Sequence, residues 1–203
     1  AAALLMLTPW RGDRILVDPF CGSGTIPIEA AMMAAHMAPG KNRRFTAQEW
    51  TQVFPGAFWE KAREEALSLE TPDVETQIQG YDIDEEMVSI ARANARMAGV
   101  DHLIHFQQRD VSRLSHAKKY GFILTNPPYG ERLSEKEELA ALYRTLGERY
   151  QALDAWSMYV ITSYEQAEAA IGRKADKNRK LYNGMIKTYF YQYMGPRPTG
   201  SKR

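Results

Sequence analysis

Arg14-Ile15-Leu16-Val17-Asp18-Pro19-Phe20-Cys21-Gly22-Ser23-Gly24-Thr25 is the stretch on which the fold turns. Its first five residues are a short apolar run ending in a carboxylate, which reads as a buried strand. Pro19 to Thr25 is a glycine-bearing loop, and the Ala- and Met-rich run from Ile26 to Met37 reads as a helix. Strand, glycine loop, helix is the order in which backbone N–H groups and a helix N-terminus face a ligand. No Gly-Lys-Ser/Thr follows, so this is not a phosphate-cradling P-loop, and Gly22-x-Gly24 lacks the third glycine of the dinucleotide fingerprint. Two glycines alone are a weak sign of cofactor binding. Asp18 strengthens it, because a carboxylate at a strand end can meet an ammonium group. Cys21 has no base beside it in sequence and reads as a small loop residue rather than a nucleophile.

Further along, the same unit recurs. Thr76 to Asp82 reads as a second strand, and a carboxylate in Asp82's place is where nucleoside cofactors have their ribose hydroxyls bound. The gap from the glycine loop exceeds the usual ~20 residues because a segment at about 38–75 intervenes. There Pro39-Gly40 breaks the first helix, Lys41, Arg43 and Arg44 form a basic cluster, and Thr46-x-x-Glu49 reads as a capping box. Residues 57–69 read as a helix, and Trp50, Phe54, Phe58 and Trp59 as its packing residues; contact with RNA is the other reading of aromatics beside basic groups. Asp84 reads as the cap of a helix carrying Met87, Ile90, Ala91, Asn94, Ala95 and Ala98 on one face and stopped by Gly99. A third strand spans His102 to Gln107. Three apart on a strand, His102 and His105 face opposite ways, so no metal pair is expected. Asp110 then either accepts from an adenine amino group or caps the turn that Val111 begins.

The apolar run from Tyr120 to Leu124 is a fourth strand, stopped by Thr125-Asn126-Pro127-Pro128-Tyr129-Gly130. Two prolines cannot donate to a ladder, and each drives its predecessor to extended backbone, so the turn is stiff. Such a turn at the carboxyl end of a parallel strand lies where open α/β sheets place ligand chemistry. Asn126 offers a side-chain carbonyl, Pro127 a backbone carbonyl outside the ladder, and Tyr129 a flat face. These suit an exocyclic amine on a planar base: two acceptors for its hydrogens and a ring to stack on. A tight turn with no chemistry is the competing reading. After it come a capping box at Ser134-x-x-Glu137, an amphipathic helix bearing Leu139, Leu142, Tyr143, Leu146, Tyr150 and Leu153, and a fifth strand at 156–162. A short helix to Ile171, capped at Ser163-x-x-Gln166, precedes a hairpin turning at Asn183-Gly184, with a long last strand from Lys187 to Met194.

Composition is that of an ordinary globular chain: 203 residues, 44% hydrophobic, 25% charged, net charge +1. One domain over 1–203 is expected. Overall charge says nothing of nucleic acid; the cluster Arg173, Lys174, Lys177, Arg179 and Lys180 offers a local basic patch. A single cysteine fits a reducing cytoplasm, and no apolar run reaches membrane-spanning length. The first residue is not Met and the chain opens in mid-helix pattern, as a fragment of a longer protein would.

Taken together, Asp18-Pro-Phe-Cys-Gly-Ser-Gly-Thr25, the insertion with Pro39-Gly40, Gly80-Tyr-Asp-Ile-Asp84, Thr125-Asn-Pro-Pro-Tyr-Gly-Glu-Arg132 and Lys180-Leu-Tyr-Asn-Gly184 resemble the bacterial RNA guanine-N2 methyltransferases. That family, often labelled N6-adenine-specific DNA methylase, belongs to the class I S-adenosylmethionine-dependent enzymes. The resemblance implies a Rossmann-like, mostly parallel seven-stranded sheet with an antiparallel last strand, and a helical insertion after the first helix. It also implies an N-terminal THUMP-type RNA-binding domain, which this sequence lacks. Asp18 and Pro19, Phe20, Cys21, Gly22, Ser23, Gly24 and Thr25 would hold the methionine part of S-adenosylmethionine. Asp82 would take the ribose, Ile83 pack on the adenine, Asp110 accept from its amino group, and the Val111 N–H donate to its ring. Asn126, which would also border the cofactor, Pro127, Pro128 and Tyr129 would form the catalytic turn. Arg132, Lys180, Tyr182 and Asn183 would meet the substrate, with the hairpin closing over the base. The implied reaction is methylation of guanine N2 in large-subunit ribosomal RNA in the cytoplasm, with no metal. Transfer RNA, or N6 of adenine in DNA, is the alternative. Three others fare worse. A non-catalytic Rossmann-like module leaves the Asn126 turn unexplained, a nicotinamide oxidoreductase lacks its glycine, and a cytosine-C5 methylase would need its cysteine elsewhere.

Overall fold

The computed structural model describes residues 1–128 and 136–198, and of Lys136 and Asn183 the backbone alone. A short helix, Ala2–Met6 (α1), leads into Leu16–Asp18 (β1) and Thr25–Ala34 (α2). The insertion carries a 3-10 turn, Thr46–Glu49, and Gly56–Ser68 (α3). Ile78–Asp82 (β2), Glu85–Ala98 (α4), Ile104–Gln108 (β3) and Phe122–Thr125 (β4) follow. Lys136–Gln151 (α5), Ser157–Thr162 (β5), Ala167–Ile171 (α6), Lys177–Asn183 (β6) and Ile186–Tyr193 (β7) complete the described chain. These strands form one sheet in the order β3-β2-β1-β4-β5-β7-β6. The β1–β2, β1–β4, β2–β3 and β4–β5 ladders are parallel, and β7 runs antiparallel to both β5 and β6.

Alternation along the strands builds two cores. Leu16, Ile78, Ile104, Phe106, Phe122, Leu124, Tyr159 and Phe190 pack with Ala30 and Ala31 of α2 and Val88 and Ala91 of α4. Val17, Ile123, Met158, Val160, Tyr191 and Tyr193 face the other way onto Tyr143 and Leu146 of α5 and Ile171 of α6. A period of two along each strand thus covers both faces of the sheet. Where α5 meets α6 there is no room for a side chain: a Cβ on Gly147 would sit inside the contact distance of the Ile171 backbone oxygen. Gly147→Ala should therefore cost about 3 kcal/mol through overpacking against backbone that cannot yield, read as a lower urea midpoint; an unchanged midpoint would mean that α6 moves freely on α5.

Several local boundaries differ from the sequence reading, each for a physical reason. Helix α2 stops at Ala34, not Met37. His36 takes a left-handed φ of 52° while its N–H bonds to Met33 O (3.2 Å) and that of Met37 to Met32 O (2.9 Å). This is a Schellman ending with histidine in the place glycine usually fills. His102 lies in a 3-10 turn ahead of β3, so it is not on the strand with His105. In the insertion, Gln48 Oε1 accepts from Phe45 N at 2.7 Å, so the capping contact starts at Phe45 rather than Thr46. Helix α6 has Gln166, not Ser163, as its cap, without a side-chain bond. The insertion's helix α3 buries none of its side chains, and Trp50, Phe54 and Phe58 stay exposed, so most of the packing expected of them is absent among the described residues. Trp59 does pack, stacked on Phe45 at 5.8 Å and edge-on to Phe54 at 6.2 Å. The box at Ser134 lies outside the described residues.

Candidate active site

The strand order reverses between β1 and β4. From β1 the chain runs outward through β2 and β3, then returns to β4 on the other side. Loops leaving the carboxyl ends of β1 and β4 therefore part in opposite directions and open a crevice between them. Asp18 ends β1 and Thr125 ends β4, and across the divide Thr125 Oγ1 donates to Asp18 Oδ1 at 2.6 Å. Phe20 N–H donates to the same oxygen at 3.1 Å. Asp18 is only 2% exposed. Burial pushes its carboxyl up to about 7; Thr125 and the Phe20 N–H pull the other way, and nearby Asp82 adds to the rise. A buried carboxylate with hydrogen bonds but no cation among the described residues is suited to receive one.

The glycine loop is held from three sides. Gly22 N–H donates to Asp82 Oδ2 at 2.9 Å, Cys21 N–H to Tyr81 O at 2.8 Å, and Asn94 Nδ2 of α4 to Ser23 O at 2.9 Å. Gly24, with φ 87°, caps α2, and a Cβ there would come within 3.0 Å of both Ala91 and Phe106. The position thus needs glycine for its backbone and for its closeness to α4. Thr25 is the first residue of α2, and Ser23 Oγ lies 3.4 Å from its hydroxyl. Cys21 is buried, and burial pushes its thiol well above the usual range, as befits a packing residue rather than a nucleophile.

Asp82 Oδ1 accepts from Asp84 N–H at 3.0 Å. With Gly22 on the other oxygen, the carboxylate ties the loops after β1 and β2 together, and each oxygen keeps a lone pair for a further donor. Beside it Ile83, Gln108, Arg109, Asp110, Ser112 and Arg113 line a groove of about 420 Å³. Ile83 is 65% exposed there, and Gln108 Nε2 donates to its backbone oxygen at 3.0 Å. Asp110 caps the turn Val111–Arg113, its Oδ1 accepting from Ser112 N–H at 2.7 Å; hydrogen bonds from Ser112 hold its carboxyl below the usual range. Asp110 thus caps the turn through Oδ1, which leaves Oδ2 for a further donor, and Val111 opens a turn whose leading N–H groups have no partner within the helix. Asp84 likewise caps α4, through Glu86 N–H at 2.8 Å.

Asn126 is exposed, Pro127 buried and Pro128 exposed. Asn126 lines a cavity of about 580 Å³ together with Asp18, the Phe20–Ser23 loop and Thr25. Ala1 and, from α1, Ala3 and Leu4 form one side of it, Leu181, Tyr182 and Thr188 of the last hairpin another. A larger groove, of about 690 Å³, lies at the amino ends of the strands among Arg14, Thr76, His102 and Lys118, away from the strand-order reversal. Two supporting residues went unread in the sequence. Thr125 stood inside the turn motif, and its buried hydroxyl at a strand end was the available signal. Tyr143 looked like a core position of α5, yet its hydroxyl reaches Pro128 O at 3.4 Å and Thr162 Oγ1 at 2.6 Å and braces the turn. In the hairpin, Lys180 Nζ lies 5.2 Å above the Tyr182 ring. Tyr129 and Arg132 lie outside the described residues, as does the side chain of Asn183. No cluster of metal-ligating side chains occurs among the described residues, and none of their helices is long and apolar enough to cross a membrane.

Residues 1–192 match the family described as UPF0020, RMKL-like, methyltransferase domain. Over 193 residues, 95% of this chain and 50% of the other, the sequence is 48% identical to "Putative RNA methyltransferase YpsC" of Bacillus subtilis (strain 168). It is 39% identical over 196 residues, 94% of this chain and 28% of the other, to "Ribosomal RNA large subunit methyltransferase K/L" of Legionella pneumophila (strain Lens). The chain thus spans half or less of the length of these curated relatives. The structure of "SMU.472, a putative methyltransferase complexed with SAH", is similar with a TM-score of 0.93 and 41% identity, over 98% of this chain and 52% of that one. That likeness and the strand order give the chain the fold of the class I S-adenosylmethionine-dependent methyltransferases. Matched from the first helix through the glycine loop and the Asn126 turn to residue 192, the chain belongs to the RMKL-like methyltransferase domain family.

Proposed function

We propose that this domain transfers a methyl group from S-adenosylmethionine to the exocyclic amine of guanine, N2, in large-subunit ribosomal RNA. The observation that carries the reading is the Thr125–Asp18 hydrogen bond, which draws the glycine loop and the Asn126 turn to one cavity. S-adenosylhomocysteine in the solved relative and the ribosomal RNA named for the Legionella relative support it. Pro19 to Thr25 frame the methionine moiety, with the Asp18 carboxylate on its ammonium group. Asp82 accepts from the ribose hydroxyls, Ile83 packs on the adenine, and Asp110 and the Val111 N–H meet its edge. When bound, the cofactor supplies an electrophilic methyl on a sulfonium. A base amine is a poor nucleophile because its lone pair is delocalised into the ring. Asn126 Oδ1 and Pro127 O accept its hydrogens and turn the lone pair out of that plane, which is positioning and electrostatic assistance rather than general-base catalysis. Pro128 keeps the turn rigid, and Tyr129 stacks on a base taken out of its helix. Arg132, Lys180, Tyr182 and Asn183 contact the RNA. The whole protein carries a THUMP-type RNA-binding domain before this one and works in the cytoplasm.

The test incubates full-length protein, methyl-tritiated S-adenosylmethionine and ribosomal RNA from cells lacking the gene, then digests the RNA to nucleosides. Label in N2-methylguanosine is expected; label in N6-methyladenosine would reassign the base. For the cofactor, Asp82→Ala should weaken S-adenosylhomocysteine binding by at least about tenfold, the scale of one or two lost charge-assisted hydrogen bonds. An unchanged dissociation constant by calorimetry would place the ribose contact elsewhere.

A further inference from the structure

Strand β7 pairs with β5 only from Met158↔Tyr193 to Thr162↔Tyr189. Its pairing with β6 continues to Asn183↔Ile186. The β6–β7 hairpin therefore overshoots the carboxyl edge of the sheet by three residues, roughly 10 Å at strand spacing, on the side where Asn126 lies. Its turn is Gly184-Met185, one residue later than Asn183-Gly184. Gly184 has φ 60° in the first central position, where a type II′ turn takes glycine.

The composition of this projection is unusual. Met185 is 98% exposed and Ile186 49%, two adjacent apolar side chains offered to solvent at the tip of the hairpin. Lys187 adjoins the tip, Lys180 stands opposite Tyr189 at the base of the projection and Arg179 one residue further back opposite Phe190, and no carboxylate occurs from Lys177 to Met194. Two of these cations lie against rings of the same hairpin, Lys180 by Tyr182 and Lys187 by Tyr189 at 4.9 Å. Leu181, Tyr182 and Thr188, just behind the tip, line the cavity that holds Asp18 and Asn126. An apolar point with cations on the strands behind it, beside the cavity that Asn126 lines, matches the chemistry of side chains that enter a nucleic-acid stack while neighbouring cations hold phosphates.

We propose that Met185 is a wedge: it enters the RNA beside the target nucleotide and fills the place the base leaves on rotating into the cavity, with Lys187 and Lys180 on the flanking phosphates. This rests on the RNA reading above. The test uses full-length protein, methyl-tritiated S-adenosylmethionine and large-subunit ribosomal RNA from cells lacking the gene. Met185→Ala should lower turnover on folded RNA by about 10- to 50-fold, chiefly in kcat. Met185→Leu should restore it to within about threefold, and removing magnesium, which unfolds the RNA, should narrow the Ala deficit. Lys187→Ala should instead raise KM and flatten its salt dependence. Methylation by wild type with an undiminished Met185→Ala, or an equal deficit on folded and unfolded RNA, overturns the wedge and leaves the function standing. No methylation by wild type overturns both. A drop of several degrees in the melting temperature of the full-length Met185→Ala protein would show the tip packed on protein instead, and would also overturn the proposal.

Discussion

Asp18→Asn should abolish measurable S-adenosylhomocysteine binding and at the same time make the protein more stable. Asparagine keeps an acceptor for Thr125 Oγ1 and Phe20 N–H but removes a charge that has no counter-ion among the described residues. On the proposed reading the ammonium group of the ligand then loses the Asp18 carboxylate, a loss of at least about 100-fold in affinity for a desolvated charge pair broken on one side. The stability gain depends on pH, and its sign follows from the raised carboxyl. Folded Asp18 titrates at about 7 against an ordinary 3.8. Between those values the native state holds a proton that the unfolded chain has released, so wild-type stability falls as pH rises from about 4 to 7. The full difference is up to about 4 kcal/mol, a rise in melting temperature for Asp18→Asn of up to roughly 8–16 °C at pH 8, shrinking to nothing near pH 4. Ligand affinity in the wild type should move the other way, climbing about tenfold per unit below pH 7 and levelling above it. A variant no more stable at pH 8 than wild type would show that water or a cation already compensates Asp18.

Asn126→Ala should lower methyl transfer by roughly 10²–10³-fold, the usual effect of deleting one preorganised hydrogen-bonding group at a reacting centre. Asn126 is exposed and sits between Thr125, whose hydroxyl is engaged with Asp18, and Pro127, whose backbone needs no help to stay extended. Binding of S-adenosylhomocysteine should stay within about threefold of wild type. Single-turnover rates with saturating RNA separate this from weaker substrate binding. Undiminished turnover would remove Asn126 from the chemistry and the amine-methylation assignment with it.

Much of the fold could be read because buried parallel strands are written as plain apolar runs. Leu16-Val17, Phe122-Ile123-Leu124 and Met158 to Ile161 announce themselves, and so do Asp84 and Gly99 at the ends of α4. What stayed hidden depends on contacts between distant parts of the chain. Asp18 and Thr125 lie 107 residues apart, and no local pattern says that β1 and β4 are neighbours. The Tyr143 hydroxyl looked like one more apolar ring on α5. The end of helix α2 is illegible locally because it uses a left-handed histidine, His36, a choice that propensity disfavours. The hairpin turn slipped by one residue because Asn183-Gly184 is the commoner turn pair, whereas glycine here leads the turn.

The placing of β7 has a consequence for how the protein is made. Strand β5 has β4 on one side and β7 on the other, and β7 is the last strand in the described chain. During vectorial synthesis, β1 to β5 can assemble first, leaving Met158 to Thr162 as an open apolar rim until Tyr193 has emerged from the ribosome. A nascent chain paused there would present an unpaired edge to its neighbours on the same messenger, the circumstance in which half-made sheets stick to one another. When the hairpin docks, that rim is replaced by β6, whose Lys177, Arg179 and Lys180 repel a second strand. Holdase chaperones should therefore engage this chain within a narrow span of lengths, ending as the final hairpin closes.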